Sequence, residues 1–496
     1  MRRRKSGLSR RTFLVSSGAT IITKMTNSYG QASNQEIGTT MKHEQRQHPH
    51  PTKDENPHLK KQVVYSKKIP VKYECDVLVV GGGPAGVAAA LAASRQGCHV
   101  RLIEAHSCLG GMGTAGMVPA FMQFTDGKNF LAGGIGKEVL ETLRKADGTV
   151  PPDGMGIRAE TLKRVYDNLL TEADVVFSFY TKLIDVLTHR GSVQTAVCSG
   201  KSGLYAIKAK MYIDATGDGD LCAFAGAPFE KGDADGGMMP GTLCSLWANI
   251  DWDKVHASGL GAGGSQLERA FQDGVFTLED RHLPGMWRVG NTLGGGNIGH
   301  TFGLDGTDEE SLTKALLWGR KSLLEYERYY KEYLKGFEQM ELVATGSLLG
   351  VRETRRIIGD YVLNLEDFKT RAVFEDEIGR YSYPVDIHIA RPDKESYETF
   401  LREHTSFRLG TGENYGIPYR SLTPKTLNNV LVAGRCISTD RYMQSSIRVM
   451  PGCYITGQAA GVAAALASKT NLDTRSISIK ELQKTLKDMG AFLPNC

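Results

Sequence analysis

Residues 75–93 read Cys75-Asp76-Val77-Leu78-Val79-Val80, Gly81-Gly82-Gly83-Pro84-Ala85-Gly86, Val87-Ala88-Ala89-Ala90-Leu91-Ala92-Ala93. The unbroken apolar run before the glycines predicts a strand buried on both faces, and the alanine-rich run after them predicts a helix ending near Gly97. Strand, G-x-G-x-x-G and helix together form a dinucleotide-binding fingerprint. Gly81 permits the tight turn, Gly83 lets the backbone approach a pyrophosphate, and Gly86 lets helix and strand pack closely. The helix N-terminus adds free N–H groups and partial positive charge. A second strand, His99–Ile103, leads into Glu104, about 20 residues past the glycines, where an acid holds a ribose diol.

The chain carries its own controls for that motif. Gly259-x-Gly261-x-x-Gly264 and Gly294-x-Gly296-x-x-Gly299 match the same letters. The first follows Asp251-Trp252-Asp253-Lys254, and neither leads into an alanine-rich helix and a strand ending in an acid. Both are expected to be loops, and only the copy at Gly81 has the full context.

Nicotinamide and flavin dinucleotides share this fingerprint, so other segments must separate them. Met211-Tyr212-Ile213-Asp214-Ala215-Thr216-Gly217-Asp218 predicts a strand ending in Ala-Thr-Gly, and Asn429-Val430-Leu431-Val432-Ala433-Gly434-Arg435 predicts another ending in Gly. Met450-Pro451-Gly452 precedes a second small-residue helix containing Gly457-Gln458-Ala459-Ala460-Gly461. Further ordered segments are Leu109–Gly116, Val351-Arg352-Glu353-Thr354-Arg355-Arg356, Ile417-Pro418-Tyr419-Arg420 and Ser446–Pro451.

On these segments, from about Tyr73 to Leu466, the chain resembles the FAD-dependent oxidoreductases of the glutathione-reductase-like superfamily, in the branch of the heterodisulfide reductase flavoprotein subunit. The resemblance implies an α/β fold: a Rossmann-like FAD-binding domain with a parallel sheet, interrupted by an inserted α+β substrate domain. It implies FAD as cofactor, bound by Gly81, Gly83, Pro84, Ala85, Gly86, Glu104 and Ala105. The loop of Gly110, Gly111, Met112 and Thr114 would run along the flavin. Leu183 would pair its backbone with adenine, Ala215, Thr216 and Gly217 would flank the dinucleotide, and Gly434-Arg435 would meet the ribityl chain. The last helix would aim its N-terminus at the flavin's pyrimidine edge. One departure stands out: Arg441 occupies a position where many members of the family have His, and an Arg does not act as a general base near neutral pH.

The expected division is a signal peptide over 1–32, a disordered linker over 33–72, FAD-binding segments over 73–225 and 425–470, a substrate domain over 226–424, and a C-terminal tail or helix over 471–496. Within the insert, Leu312–Phe337, entered through Asp308-Glu309-Glu310, predicts a long amphipathic helix whose Tyr326, Tyr329, Tyr330 and Tyr333 form a packing face. Flavin oxidation of an alcohol or amine needs a proton acceptor, a role His fills best near neutral pH. Two histidines stand out. His300 sits in a Gly-rich loop, and His388 ends Tyr383–Ile389, whose period-2 alternation places Asp386 and His388 on one face of a predicted strand. Arg352, Arg355 and Arg356 have helical i, i+3, i+4 spacing, suited either to a bidentate grip on a substrate carboxylate or to salt bridges with Glu353, Asp360 and Glu366. Arg441 and Arg448, beside the flavin by resemblance, complete the catalytic candidates.

Charge and composition narrow the partners. The net charge of +5 comes from the first 74 residues, with 15 Lys and Arg against 5 Asp and Glu, leaving 45 against 50 for the rest. The basic extension is removable, so neither nucleic acid nor an anionic membrane is an expected partner. The 57 glycines have no G-X-Y period and act as local punctuation. Nine scattered cysteines without C-x-x-C suggest neither a zinc site nor a disulfide scaffold, so no metal is expected. No apolar run approaches the roughly 18 to 20 residues of a membrane span.

Arg10-Arg11 followed by Thr12-Phe13-Leu14-Val15 and a weakly apolar stretch to Ile22 reads as a twin-arginine signal, with a small-x-small cleavage site at Gly30-Gln31-Ala32. It implies a bacterial, periplasmic or secreted protein that passes through the twin-arginine translocase already folded. The whole sequence therefore predicts an exported FAD-dependent enzyme that takes hydride from a small polar substrate, in one reading anionic. Without a second dinucleotide motif, electrons are expected to pass to oxygen, a quinone or a redox protein. A flavin-dependent isomerase or hydratase, or an NAD-dependent dehydrogenase, are the alternatives.

Overall fold

Val71–Val80 forms the central strand, β1, and Val77, Leu78 and Val79 are inaccessible to solvent, as a run apolar on both faces requires. The computed structural model describes residues 63–282, 285–404 and 407–496, without the side chains of 403 and 404. The twin-arginine segment, its cleavage site and the linker up to residue 62 lie outside the described residues. Lys67–Cys496 forms one unit.

β1 pairs in parallel with Val100–Ile103, β2, on one side and with Gly203–Asp214 on the other. β2 pairs in parallel with Val176–Ser178. The C-terminal end of Gly203–Asp214 pairs in parallel with Val430–Val432, and its earlier residues pair antiparallel with Ser192–Gly200, followed by Lys182–His189. One seven-stranded sheet results, with its parallel strands at the glycine motif.

The helix after the motif, α1, spans Pro84–Arg95, with Pro84 in its first turn, where no N–H is needed. Its small residues have a packing cause. A Cβ on Gly457 would stand 2.2 Å from the Ala85 carbonyl oxygen, and one on Gly461 would stand 2.2 Å from that of Ala89. The Met450–Thr470 helix thus crosses α1 backbone against backbone, and the pair is buried in the main core. Among the described residues no single helix is long and apolar enough to cross a membrane.

A second core gathers Leu243, Trp247, Tyr326, Tyr329, Tyr330 and Phe337. It lies under an antiparallel sheet ordered Gly285–Arg288, Gly294–Asn297, Ser245–Ala248 and Glu341–Thr345. Its apolar residues fall between Leu243 and Leu349, whereas Ile357, Leu363, Tyr381 and Ile417 join the first core. The long helix spans Glu309–Tyr333, and Asp308 caps it by accepting from the Ser311 N–H. Tyr326, Tyr329 and Tyr330 are buried on its packing face.

Three local expectations are corrected. Gly294–Asn297 is a strand, not a loop: a Cβ on Gly295 would strike Pro119 at 2.4 Å, and one on Gly296 would strike Ser245 at 2.6 Å, so these glycines make room for neighbours. Arg352, Arg355 and Arg356 lie on no helix, since Arg355–Ile357 is a strand paired with Phe229–Lys231. β-Branched Thr354, Ile357 and Ile358 favour that outcome. Tyr383–Ile389 belongs to no ladder, although Asp386 and His388 still face each other.

Candidate active site

The three motif glycines occupy three different surroundings. Gly81 has φ of 99°, and a Cβ there would stand 2.5 Å from the Ala215 carbonyl oxygen. A Cβ on Gly86 would stand 1.9 Å from the Gly81 carbonyl oxygen. Before Gly83, by contrast, an added Cβ meets nothing within 4 Å, and no side chain caps the N-terminus of α1 there. Two glycines are filled by protein, and the third faces open space at a helix N-terminus. The residues therefore fit a dinucleotide pyrophosphate, with uncapped N–H groups to hold it.

The surroundings extend this cradle. The Glu104 carboxylate accepts the Gly82 N–H at 2.7 Å and the His106 N–H at 2.8 Å, so it is fixed where β2 ends, beside exposed Ala105. Gly110 N–H donates to the Gly82 carbonyl at 2.8 Å, and the Gly111–Gly113 turn, carrying Met112, lies against Gly83. Thr114 pins that turn through the Leu109 carbonyl. Thr216 bonds to Asp214, and Gly217, at φ of 79°, leaves room for the Arg435 guanidinium. Arg435 pairs with Asp218 at 2.6 Å while its buried Nε lacks a protein partner. Gly434 donates its N–H to Thr456, and a Cβ on it would meet Ala85 at 3.1 Å. Leu183 is buried in Lys182–His189, opposite Cys198.

The catalytic candidates converge in part. His300 Nδ1 lies 2.8 Å from Asp280 Oδ2, and His300 Nε2 lies 2.8 Å from His388 Nδ1. His388 Nε2 lies 3.5 Å from Asp386 Oδ2, which receives Arg448 Nη2 at 2.9 Å. Two carboxylates thus bracket two imidazoles in one row. The row adjoins the cradle through the chain: a Cβ on Gly113 would meet Met450 Sδ at 2.7 Å, two residues after Arg448.

His282 stacks on His388 with ring centroids 4.3 Å apart and planes 9° apart, and Phe400 tilts against its ring. Burial lowers His282 to about 4. Burial and the Arg352 charge hold His388 well below the ordinary histidine value, only partly opposed by Asp386. Burial alone would raise the Asp386 carboxyl, but His388, Arg448 and Arg352 outweigh it and keep the group ionised. Among the described residues no set of three His, Cys, Asp or Glu is arranged to hold a metal.

Arg352 and Arg441 differ in their partners. Arg352 donates through Nη1 to the Pro240 carbonyl at 2.8 Å and Thr242 Oγ1 at 2.9 Å, and through Nη2 to Asn297 Oδ1 at 3.3 Å. Arg441 instead pairs with Glu353 and Asp233, each at 3.2 Å, which assigns it to an ion-pair network and not to the histidine row. Glu353 also takes Arg356 at 2.6 Å; Arg355 goes to Asp220, and Asp360 and Glu366 pair with Arg475 and Lys369. Sequence reasoning missed Asp280 and His282. Their only signal was the short Asp280-Arg281-His282 triplet, which matches no motif.

A parallel sheet, a glycine turn facing open space and a buried acid–imidazole row beside it define a dinucleotide-dependent enzyme class. The chain belongs to the FAD dependent oxidoreductase family, whose model matches residues 76–486. FAD is the cofactor of that family, and the cradle suits it. Over 113 residues the chain is 35% identical to a 4-oxocyclohex-2-ene-1-carboxylate 5-dehydrogenase of Sinomonas cyclohexanicum, covering 22% of this chain and 19% of that one. Over 155 residues it is 28% identical to a digeranylgeranylglycerophospholipid reductase 2 of Methanopyrus kandleri, covering 29% and 38%. The chain thus spans well under half of the length of either relative. Among solved structures it is similar to a p-nitrophenol 4-monooxygenase of Pseudomonas putida, at 15% identity, 84% of each chain and TM-score 0.44. It is also similar to a geranylgeranyl bacteriochlorophyll reductase-like protein of Thermoplasma acidophilum, at 13% identity, 84% of each chain and TM-score 0.43.

Proposed function

We propose that the protein is a dehydrogenase or oxidase that removes hydride from a small polar organic substrate, with His388 as the base. The observation that carries this is a proton count along the row. Two neutral imidazoles hold two N–H hydrogens, but the row has three contacts. His300 Nδ1–H serves Asp280, so His300 Nε2 accepts and His388 Nδ1–H donates to it. His388 Nε2 is then a bare lone pair, and it makes the longest of the three contacts, 3.5 Å to Asp386. A proton taken there completes the row, and Asp386, held by Arg448, stabilises the imidazolium. Bound FAD supplies the hydride acceptor; the chain's own part is to receive the proton and fix the base.

In this reading the glutathione-reductase-like branch supplies the cradle, residues 226–424 cover the reacting face, and the acceptor is oxygen, a quinone or a redox protein. The twin arginines direct export to the periplasm or beyond, and replacing Arg10 and Arg11 by Lys should retain the protein in the cytoplasm.

The test begins with the purified protein's visible spectrum before and after acid denaturation. Flavin released to the supernatant, then anaerobic reduction by one of a panel of hydroxy acids, sugars and amines, supports the proposal. Product formation with no change in the flavin spectrum would place the protein with isomerases or hydratases. A colourless protein that refuses FAD and binds NAD would overturn it.

A further inference from the structure

Arg352 is 7% exposed, yet no carboxylate lies within ion-pairing distance of it among the described residues. Of the other buried arginines, Arg356 has Glu353 and Arg380 has Glu377, while Arg101 rests its guanidinium 3.5 Å from the Tyr73 ring centroid and bonds to Ser178. A guanidinium has five N–H donors. Arg352 commits Nη1 to Pro240 and Thr242 and one Nη2 hydrogen to a long contact with Asn297. The Nε–H and the second Nη2–H have no protein acceptor among the described residues. Nε and Nη2 share the edge with which a guanidinium grips a carboxylate through two parallel bonds.

The cost of this arrangement is visible in the side chain itself. Burial, with the Arg448 charge adding to it, lowers Arg352 to about 10, so it is still a cation at neutral pH but a poorly solvated one. A buried cation without a counter-ion is expensive unless something supplies the missing charge. The Arg352 charge also reaches the histidine row, where it helps to hold His388 below the ordinary histidine value. We propose that Arg352 seats the carboxylate of the substrate, so that the protein acts on a small organic acid whose reacting carbon is presented to His388. The proposal rests on the oxidoreductase reading above and narrows its substrate class.

Asp280 and Asp386 act on Arg352 only from a distance, since Asp386 pairs with Arg448 and Asp280 bonds to His300. The substrate gives one proton to His388 and one hydride to bound FAD, so the reaction itself leaves the total charge of the site unchanged. A substrate carboxylate would supply the directly bonded anion that Arg352 lacks.

The probes are acetate, propionate, benzoate and succinate, each compared with its amide, added to the FAD-loaded wild-type protein. Binding is read from the perturbation of the flavin absorption bands and from the rise in Tm. A saturable perturbation by at least one acid, at least tenfold weaker with its amide, is the expected result. In Arg352→Gln the acid should lose at least tenfold in affinity, with part recovered in Arg352→Lys. Equal binding of acid and amide by wild type would overturn the proposal even if neither variant folds. Acid affinity unchanged in a folded Arg352→Gln would overturn it, and so would loss of FAD itself, which would assign the guanidinium to the cofactor. Carboxylate binding that is intact while no compound reduces the flavin would instead sink the oxidoreductase reading and leave the seat standing.

Discussion

His300 and His388 are 88 residues apart in sequence, yet Nε2 of the first and Nδ1 of the second are separated by 2.8 Å in a buried contact. With both imidazoles neutral, as the proposed mechanism has them, Asp280 sets the proton of His300 and His300 sets that of His388, so the outermost nitrogen is left to accept. In the proposed mechanism the row acts as a single base with two oriented supports.

Replacing the accepting nitrogen should remove the base without emptying the cradle. In His388→Gln the rate of anaerobic flavin reduction, by whichever compound reduces wild type, should fall about 10²- to 10⁴-fold. The protein should keep its flavin spectrum. His300→Gln should fall less, because His388 retains its lone pair and loses only its orientation.

The acid limb of the pH–rate profile reports the same nitrogen. Because burial and Arg352 lower His388, the limb should lie below the roughly 6.5 of an ordinary histidine. Asp386→Asn removes the opposing influence and should move the limb further down. Arg352→Gln removes a cation and should move it up. Opposite displacements by these two neighbours would be hard to obtain from general damage.

Stability should also depend on pH, with a sign fixed by the depressed histidines. His282, lowered to about 4 in the folded protein, binds fewer protons there than in the unfolded chain between about pH 4 and 6.5. Stability is therefore present above the unfolded value and is lost as pH falls through this window. The Tm difference between wild type and His282→Phe should vary with pH inside the window and level off above about pH 7.

The glycines separate folding from cofactor capture. Gly83→Ala adds a methyl that meets no protein atom at a φ of −67°, so the variant should fold with a Tm near wild type. It should purify largely without FAD, since the methyl occupies the space before the helix N-terminus. Gly86→Ala pushes a methyl to 1.9 Å from a backbone oxygen and should lower Tm sharply or prevent folding.

Glu353 is inaccessible and receives Arg356, Arg441 and the Met239 N–H. Glu353→Gln leaves two guanidinium groups short of a counter-charge and should cost about 3 kcal/mol, read from denaturant unfolding. Arg441→Gln should lower stability as well and leave the acid limb in place, as its ion pairs imply.

Much of this architecture could be read in the residues. The motif at Gly81, the strand leading to Glu104 and the small-residue helix around Gly457 each carry a local signal, because turn, charge and packing act within a few residues. His300 and His388 were visible singly through the chemistry of imidazole. Their pairing was not, because it depends on how the Tyr383–Ile389 segment and the second core dock. The helical spacing of Arg352, Arg355 and Arg356 misled for a related reason: three cations at i, i+3, i+4 fit a helix, but Arg355, Arg356 and the β-branched Ile357 pair with Phe229–Lys231. Asp280 and His282 gained meaning only from neighbours distant in sequence.

The backbone contact between α1 and the Met450–Thr470 helix has a consequence for biosynthesis. Gly86 and Gly461 are separated by 375 positions, which a ribosome covers in roughly 20 to 75 s at ordinary elongation rates. During that interval the alanine face of α1 has no helix to rest on. The cradle closes only near the end of translation, so a truncated product that stops short of Met450 should emerge without yellow colour however much FAD surrounds it.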